Sequence, residues 1–129
     1  MTKDDWLELT VLERKKYNYL VELQDLTGQL AESLDRSDQV SVRMLVAMRQ
    51  DPIRLLAEVD NSEQLRLAVW PEVERQRARE LLKGAEPSGD GERIFSEQSR
   101  KTRRLLEQVV ALDRRISMKM AGENSFYHK

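Results

Sequence analysis

Apolar positions recur at seven-residue spacing in two long stretches of this chain. In the first they fall at Leu20, Leu23, Thr27, Leu30 and Leu34, steps of 3, 4, 3 and 4 that place every member on one stripe of an α-helix. Leu26 broadens that stripe enough to meet more than one neighbour. In the second, Gln98, Thr102, Leu105, Val109, Leu112, Ile116 and Met120 keep a single face for about six turns. No segment alternates as a strand would. The pattern predicts an all-α protein: an elongated antiparallel helical bundle with coiled-coil-like packing and three to four helices. Two outer helices of about 30 residues would each reach ~45 Å, and short polar connections favour antiparallel neighbours.

Polar and special residues divide these stretches. Thr2 with Asp5 reads as a capping box at the start of the first helix. Asp35-Arg36-Ser37-Asp38 breaks it, and Ser37 or Asp38 can cap a second helix carrying Val40, Met44, Leu45 and Met48. Asp51-Pro52 predicts a kink or restart, after which Ile53, Leu55, Leu56 and Val59 face inward. Asp60-Asn61-Ser62, with Gln64, predicts the start of a third helix. That helix is interrupted at Trp70-Pro71 and runs on through Val73, Ala78, Leu81 and Leu82 to Gly84, which suits a left-handed helix end.

The segment 84–91 holds three of the five glycines and is expected to be a mobile loop. Gly28, inside the first helix, costs up to ~1 kcal/mol relative to alanine and is expected to admit a close neighbour. Gly122 is expected to end the last helix. The domain reading is one helical bundle over residues 1–122 and a short tail over 123–129 that contains Phe126 and Tyr127.

Composition narrows the function. Of 129 residues, 40% are hydrophobic and 35% charged, a charge fraction above the usual quarter that suits long helices with a narrow apolar seam. The net charge is −1, divided as −4 over residues 1–60 and +3 over 61–129, so no basic tail is present. Cysteine is absent, which removes disulfides and thiolate metal sites. The acidic N-terminus lacks a secretory layout, and no apolar run approaches the ~18 residues of a membrane span. A cytoplasmic protein without membrane insertion is expected.

Candidate chemistry is sparse. His128 is the only histidine, so the carboxylate–histidine sets of helical di-iron sites, zinc sites and histidine-based nucleophile arrangements have no members. Gly89-Asp90-Gly91 follows no strand and matches no phosphate loop. No enzyme activity, metal or cofactor is expected. Arg100, Lys101, Arg103, Arg104, Arg114 and Arg115 interleave with leucines, valines and acids, which reads as a solvated helix face and not as a nucleic-acid surface. Trp6 and Trp70 read as core or boundary anchors. Met44 and Met48 read as core fillers, while Met118 and Met120, near the aromatic tail, suit either the core or an adaptable binding surface.

Residues 19–34 (YLVELQDLTGQLAESL), 35–58 (DRSDQVSVRMLVAMRQDPIRLLAE) and 103–127 (RRLLEQVVALDRRISMKMAGENSFY) together resemble the flagellar type III export chaperones of the FlgN/FliT type. The shared layout is two antiparallel outer helices, an acidic break, a second helix ending at proline and a long final heptad helix. The Leu112-Asp113 pair and an aromatic C-terminal motif belong to it. The resemblance implies a cytosolic chaperone without an ATPase of its own. Such a chaperone binds an amphipathic helix of a hook-associated or filament-cap type substrate and prevents its premature assembly. The partner-binding residues expected on this reading are Leu105, Val109, Leu112, Ile116, Met118, Met120, Phe126 and Tyr127. The competing expectation is a generic coiled-coil adaptor or self-assembling structural protein, whose seams serve a homodimer.

Overall fold

The computed structural model describes residues 2–127, and the side chains of residues 2–122. The chain forms α1 (Lys3–Asp35), α2 (Gln39–Met48), α3 (Gln50–Ala68), α4 (Glu72–Leu82) and α5 (Asp90–Tyr127). No strand occurs among the described residues, and the protein is an all-α bundle. Arg49 alone parts α2 from α3, and its φ of −66° and ψ of −20° stay helical. The two are one helix interrupted at Arg49, so the bundle has four.

The helix ends follow local chemistry. Thr2 and Asp5 form the reciprocal capping box, with each backbone N–H donating to the other's side chain at 3.0 and 3.2 Å. Asp38 caps α2 by accepting the Ser41 N–H at 3.1 Å and its hydroxyl at 2.7 Å. The interruption at Arg49 lies three residues before Pro52, which has no N–H for the Met48 carbonyl, so the helical ladder lacks a bond there. Trp70-Pro71 separates α3 from α4 as expected, and Gly84 takes a left-handed φ of 105°.

Several expectations need correction. Asp60-Asn61-Ser62 starts no helix: α3 continues through it, and the Ser62 hydroxyl donates back to the Glu58 carbonyl at 3.0 Å. The α5 helix passes Gly122 and reaches Tyr127; a glycine lowers helix propensity but ends a helix only where the backbone turns left-handed. Met44 and Met48 are 55% and 48% exposed on the outer face of α2, where only Leu45 is buried. Ile53 is exposed as well.

The orientation of the long helices also differs from expectation. The Thr102 hydroxyl donates to the Glu13 carbonyl, Gln24 pairs with Gln108, and Lys119 with Asp35. Partner numbers rise together, so α1 and α5 run parallel. Along α3 they fall as α1 rises, since Arg49 bonds Thr27, Lys16 bonds Glu63 and Arg66 pairs with Glu8. Of the two long pairings that α1 makes, the one with α2–α3 is antiparallel and the one with α5 is not. The chain reverses at residues 36–38 and again at Trp70-Pro71. The loop 83–89 then retraces the length of α4, so α5 sets out in the direction of α1.

Both heptad stripes are consumed by this parallel seam. Leu20 and Leu23 pack with Leu105 and Val109, and Leu26, Leu30 and Leu34 pack with Ile116 and Leu45. At the other end the core is aromatic. Trp6 meets Trp70 edge-on and Phe95 at a tilt, each with ring centroids 5.4 Å apart. Here α4 completes a square, packing on α3 and α5. Among the described residues no Cα of α4 lies within 8 Å of α1, and none of α3 within 8 Å of α5. These two pairs are the diagonals.

The glycines have contrasting roles. A Cβ on Gly91 would lie 2.8 Å from Trp6 Cδ1, so this glycine is what lets α5 begin against the indole. A Cβ on Gly28 meets nothing within 4 Å, so no neighbour uses the space there. The loop expected to be mobile is pinned: Arg77 donates to the Glu86 carbonyl at 2.7 Å and to Glu92, and Glu92 accepts the Ser88 N–H at 3.1 Å.

Chemical denaturation should separate the two glycines. Gly28→Ala is expected to stabilise the fold by about 1 kcal/mol, and Gly91→Ala to destabilise it by about 1–3 kcal/mol through overpacking against Trp6. Equal effects would contradict the placement of Trp6.

Candidate functional site

The heptad stripe of α1 starts earlier than its leucines, at Trp6, and runs Leu9, Glu13, Lys16, Leu20. Two of its inward positions are therefore charged. The inward stripe of α3 is likewise Val59, Glu63, Leu67. Glu13 and Glu63 are 3% and 1% exposed. Lys16 lies between them, with its ammonium 2.9 Å from Glu63 Oε1, 3.6 Å from Glu13 Oε2 and 3.1 Å from the more exposed Asp60 carboxylate.

One ammonium cannot satisfy this set. Glu13 Oε2 and Glu63 Oε2 are buried without a hydrogen-bond partner, and such an acceptor costs about 1–3 kcal/mol. Protonation offsets the cost. Burial, and then the Glu63 carboxylate, push Glu13 up to about 7 against the pull of Lys16. Burial raises Glu63 in the same direction. Burial works against the charge on Lys16, but Glu13 and Glu63 outweigh it and hold the ammonium above its ordinary value.

These groups line a cavity of about 510 Å³ bounded by all of α1, α3, α4 and α5. The floor is α1, through Glu13, Lys16 and Leu20. Leu56, Ala57, Asp60, Glu63 and Gln64 form the α3 wall, and Ser99, Thr102, Arg103 and Leu106 the α5 wall. Leu82, the last residue of α4, closes one end. Beyond Leu82 the fourth corner of the square is open, and α3 and α5 stand apart over α1. Arg49 spans the gap farther along, donating to Thr27 at 3.1 Å and to Asp113 of α5 at 2.5 Å. Between α4 and Arg49, Leu106 and Val110 are 46% and 40% exposed. Their four-residue spacing continues the cavity's α5 wall, and Ile53 continues its α3 wall.

The residues expected to bind a partner are dispersed. Leu105, Val109 and Ile116 are buried against α1 and α2, and Leu112 and Met120 pack beside Ile116, so in the closed bundle these five are core. Met118 is 75% exposed. The side chains of Phe126 and Tyr127 lie outside the described residues. Among the described residues no group of three acidic or histidine side chains is placed to hold a metal ion, and no helix is long and apolar enough to cross a membrane. Arg100 and Arg103, on the basic face of α5, reach Glu86 and the Leu82 carbonyl, tying α5 to the loop and to α4.

No protein-family model, curated protein or solved structure matches the chain.

A carboxyl whose value is raised in the fold contributes stability below its ordinary value that is lost as pH rises to the raised one. For Glu13 the window runs from 4.5 to about 7. The stability of the wild type relative to Glu13→Gln should fall by up to about 3 kcal/mol across that window and level off above it. Denaturation of both proteins at stepped pH checks this, and a difference independent of pH would contradict it.

Proposed function

We propose that this protein binds an amphipathic helix of a partner protein in the open corner between α3 and α5. The observation that carries the reading is that α4 fills the fourth position of the bundle for only 11 residues, after which half-exposed leucine, valine and isoleucine side chains continue along the vacancy. A helix laid there would complete a four-helix cross-section and bury those side chains, in the manner of helix-in-groove recognition. Each contributes about 1 kcal/mol when the rest of its surface leaves water.

With the resemblance of residues 19–58 and 103–127, this binding mode supports a cytosolic flagellar export chaperone. Its cargo would be an amphipathic helix of a hook-associated or filament-cap type protein, kept from premature assembly. A second reading, self-assembly through a homodimer, is favoured by a different surface. Val40, Met44 and Met48 form an exposed apolar stripe on α2, away from the groove.

Light scattering distinguishes the two. The chaperone reading expects a monomer that forms a 1:1 complex with the isolated terminal helix of a hook-associated protein. Leu106→Asp should weaken that complex at least about tenfold, or 1.4 kcal/mol, without lowering the melting temperature. A stable dimer that ignores the helix and is split by Met44→Asp would overturn the chaperone reading in favour of self-assembly.

A further inference from the structure

We infer that the groove selects a helix carrying an arginine within its apolar stripe, whose guanidinium enters the cavity and bonds Glu13 and Glu63. This rests on the groove-binding reading above and names the chemistry of its occupant. An apolar helix would suit an apolar groove, but the floor here is acidic. Three carboxyls, from Glu13, Asp60 and Glu63, face a single ammonium. One oxygen on each glutamate is buried without a hydrogen-bond partner, and both glutamates line a cavity that opens toward the vacant corner. Unsatisfied acceptors on residues that line a cavity favour a donor entering it, which a rotation of either carboxylate would let it reach, and buried excess negative charge favours a cation.

The other groups facing the pair do not supply it. Lys16, from α1, already divides its ammonium among three carboxyls. Arg103, from α5, lines the cavity but donates to the Leu82 carbonyl at 3.2 Å and lies against Gly84. Leu82 of α4 is apolar, and the remaining polar lining residues, Gln64, Ser99 and Thr102, carry no charge. A guanidinium has five N–H donors in a planar fork and serves two carboxylates at once, which an ammonium on a flexible stem does less well. Its arrival replaces the proton that Glu13 otherwise holds near neutral pH, so binding is accompanied by proton release.

The test uses two synthetic amphipathic peptides of about 18 residues, long enough to form several helical turns. They are identical except for arginine or leucine at the centre of the apolar stripe. Affinities for the full chain at pH 8 are measured by calorimetry, alongside the isosteric double variant Glu13→Gln/Glu63→Gln, whose helicity is checked first by circular dichroism. The arginine peptide should bind the wild type at least about tenfold more tightly than the leucine peptide, and the double variant should lose that preference. Equal binding, or tighter binding of the leucine peptide, overturns the arginine site while leaving the groove in place. A preference that survives in the double variant also overturns it, since the cation then binds elsewhere. Failure of both peptides to bind removes the groove reading and the inference with it.

Discussion

Leucines and valines of α1 and α5 interlock along a parallel seam, and the remainder of the molecule is arranged around it. Both helices spend their best apolar stripe on this contact. Parallel neighbours in a single chain require a return path, which α2–α3 provides on one side of α1. A fourth helix of full length would close the square, but α4 has only 11 residues and the loop 83–89 brings the chain back to its start. The open corner above Leu82 is thus a consequence of topology: the seam fixes two helices, the return fixes a third, and the fourth is cut short.

The ends of the bundle are held differently from its middle. The edge-on and tilted contacts of Trp6 with Trp70 and Phe95, and the close approach of Gly91 to Trp6, close the α4 end. The opposite end is closed by leucines of α1 with Leu45 and Ile116, and by the pairing of Lys119 with Asp35. Between them, the wall facing the open corner contains Glu13, Lys16 and Glu63 at positions where a seam would ordinarily place leucine. Replacing a buried ionic group by apolar side chains is often neutral or stabilising, so a cluster with unsatisfied acceptors at such positions is a cost in the isolated bundle. A cationic occupant would turn that cost into recognition.

Much of this was legible from residues alone. The capping box at Thr2, the cap at Asp38, the break at Trp70-Pro71, the left-handed Gly84 and both leucine seams are local features, and local propensity decides them. Helix direction is not local. Nothing in the spacing of Leu20 to Leu34 or Leu105 to Ile116 distinguishes a parallel seam from an antiparallel one, because both bury the same stripe. The polar run Asp60-Asn61-Ser62 resembled a helix start, but the inward stripe Val59, Glu63, Leu67 carries α3 through it. The candidate site was missed for a related reason. Extending the α1 stripe upstream from Leu20 places Lys16 and Glu13 at inward positions, and a charge at a seam position is a readable sign of a buried polar site. Of the residues proposed for partner binding, Leu105, Val109, Leu112, Ile116 and Met120 share the strongest stripe in the chain, and the strongest stripe is the one the fold itself uses.

The central claim is that a partner helix occupies the corner between α3 and α5. Methyl resonances report this most directly, since Leu106 and Val110 line that corner while Met44 and Met48 lie on the outer face of α2. During titration with the terminal helix of a hook-associated protein, the Leu106 and Val110 signals should shift and saturate at one equivalent, with those of Met44 and Met48 unmoved. Shifts confined to Met44 and Met48, with Leu106 and Val110 unchanged, would contradict the account.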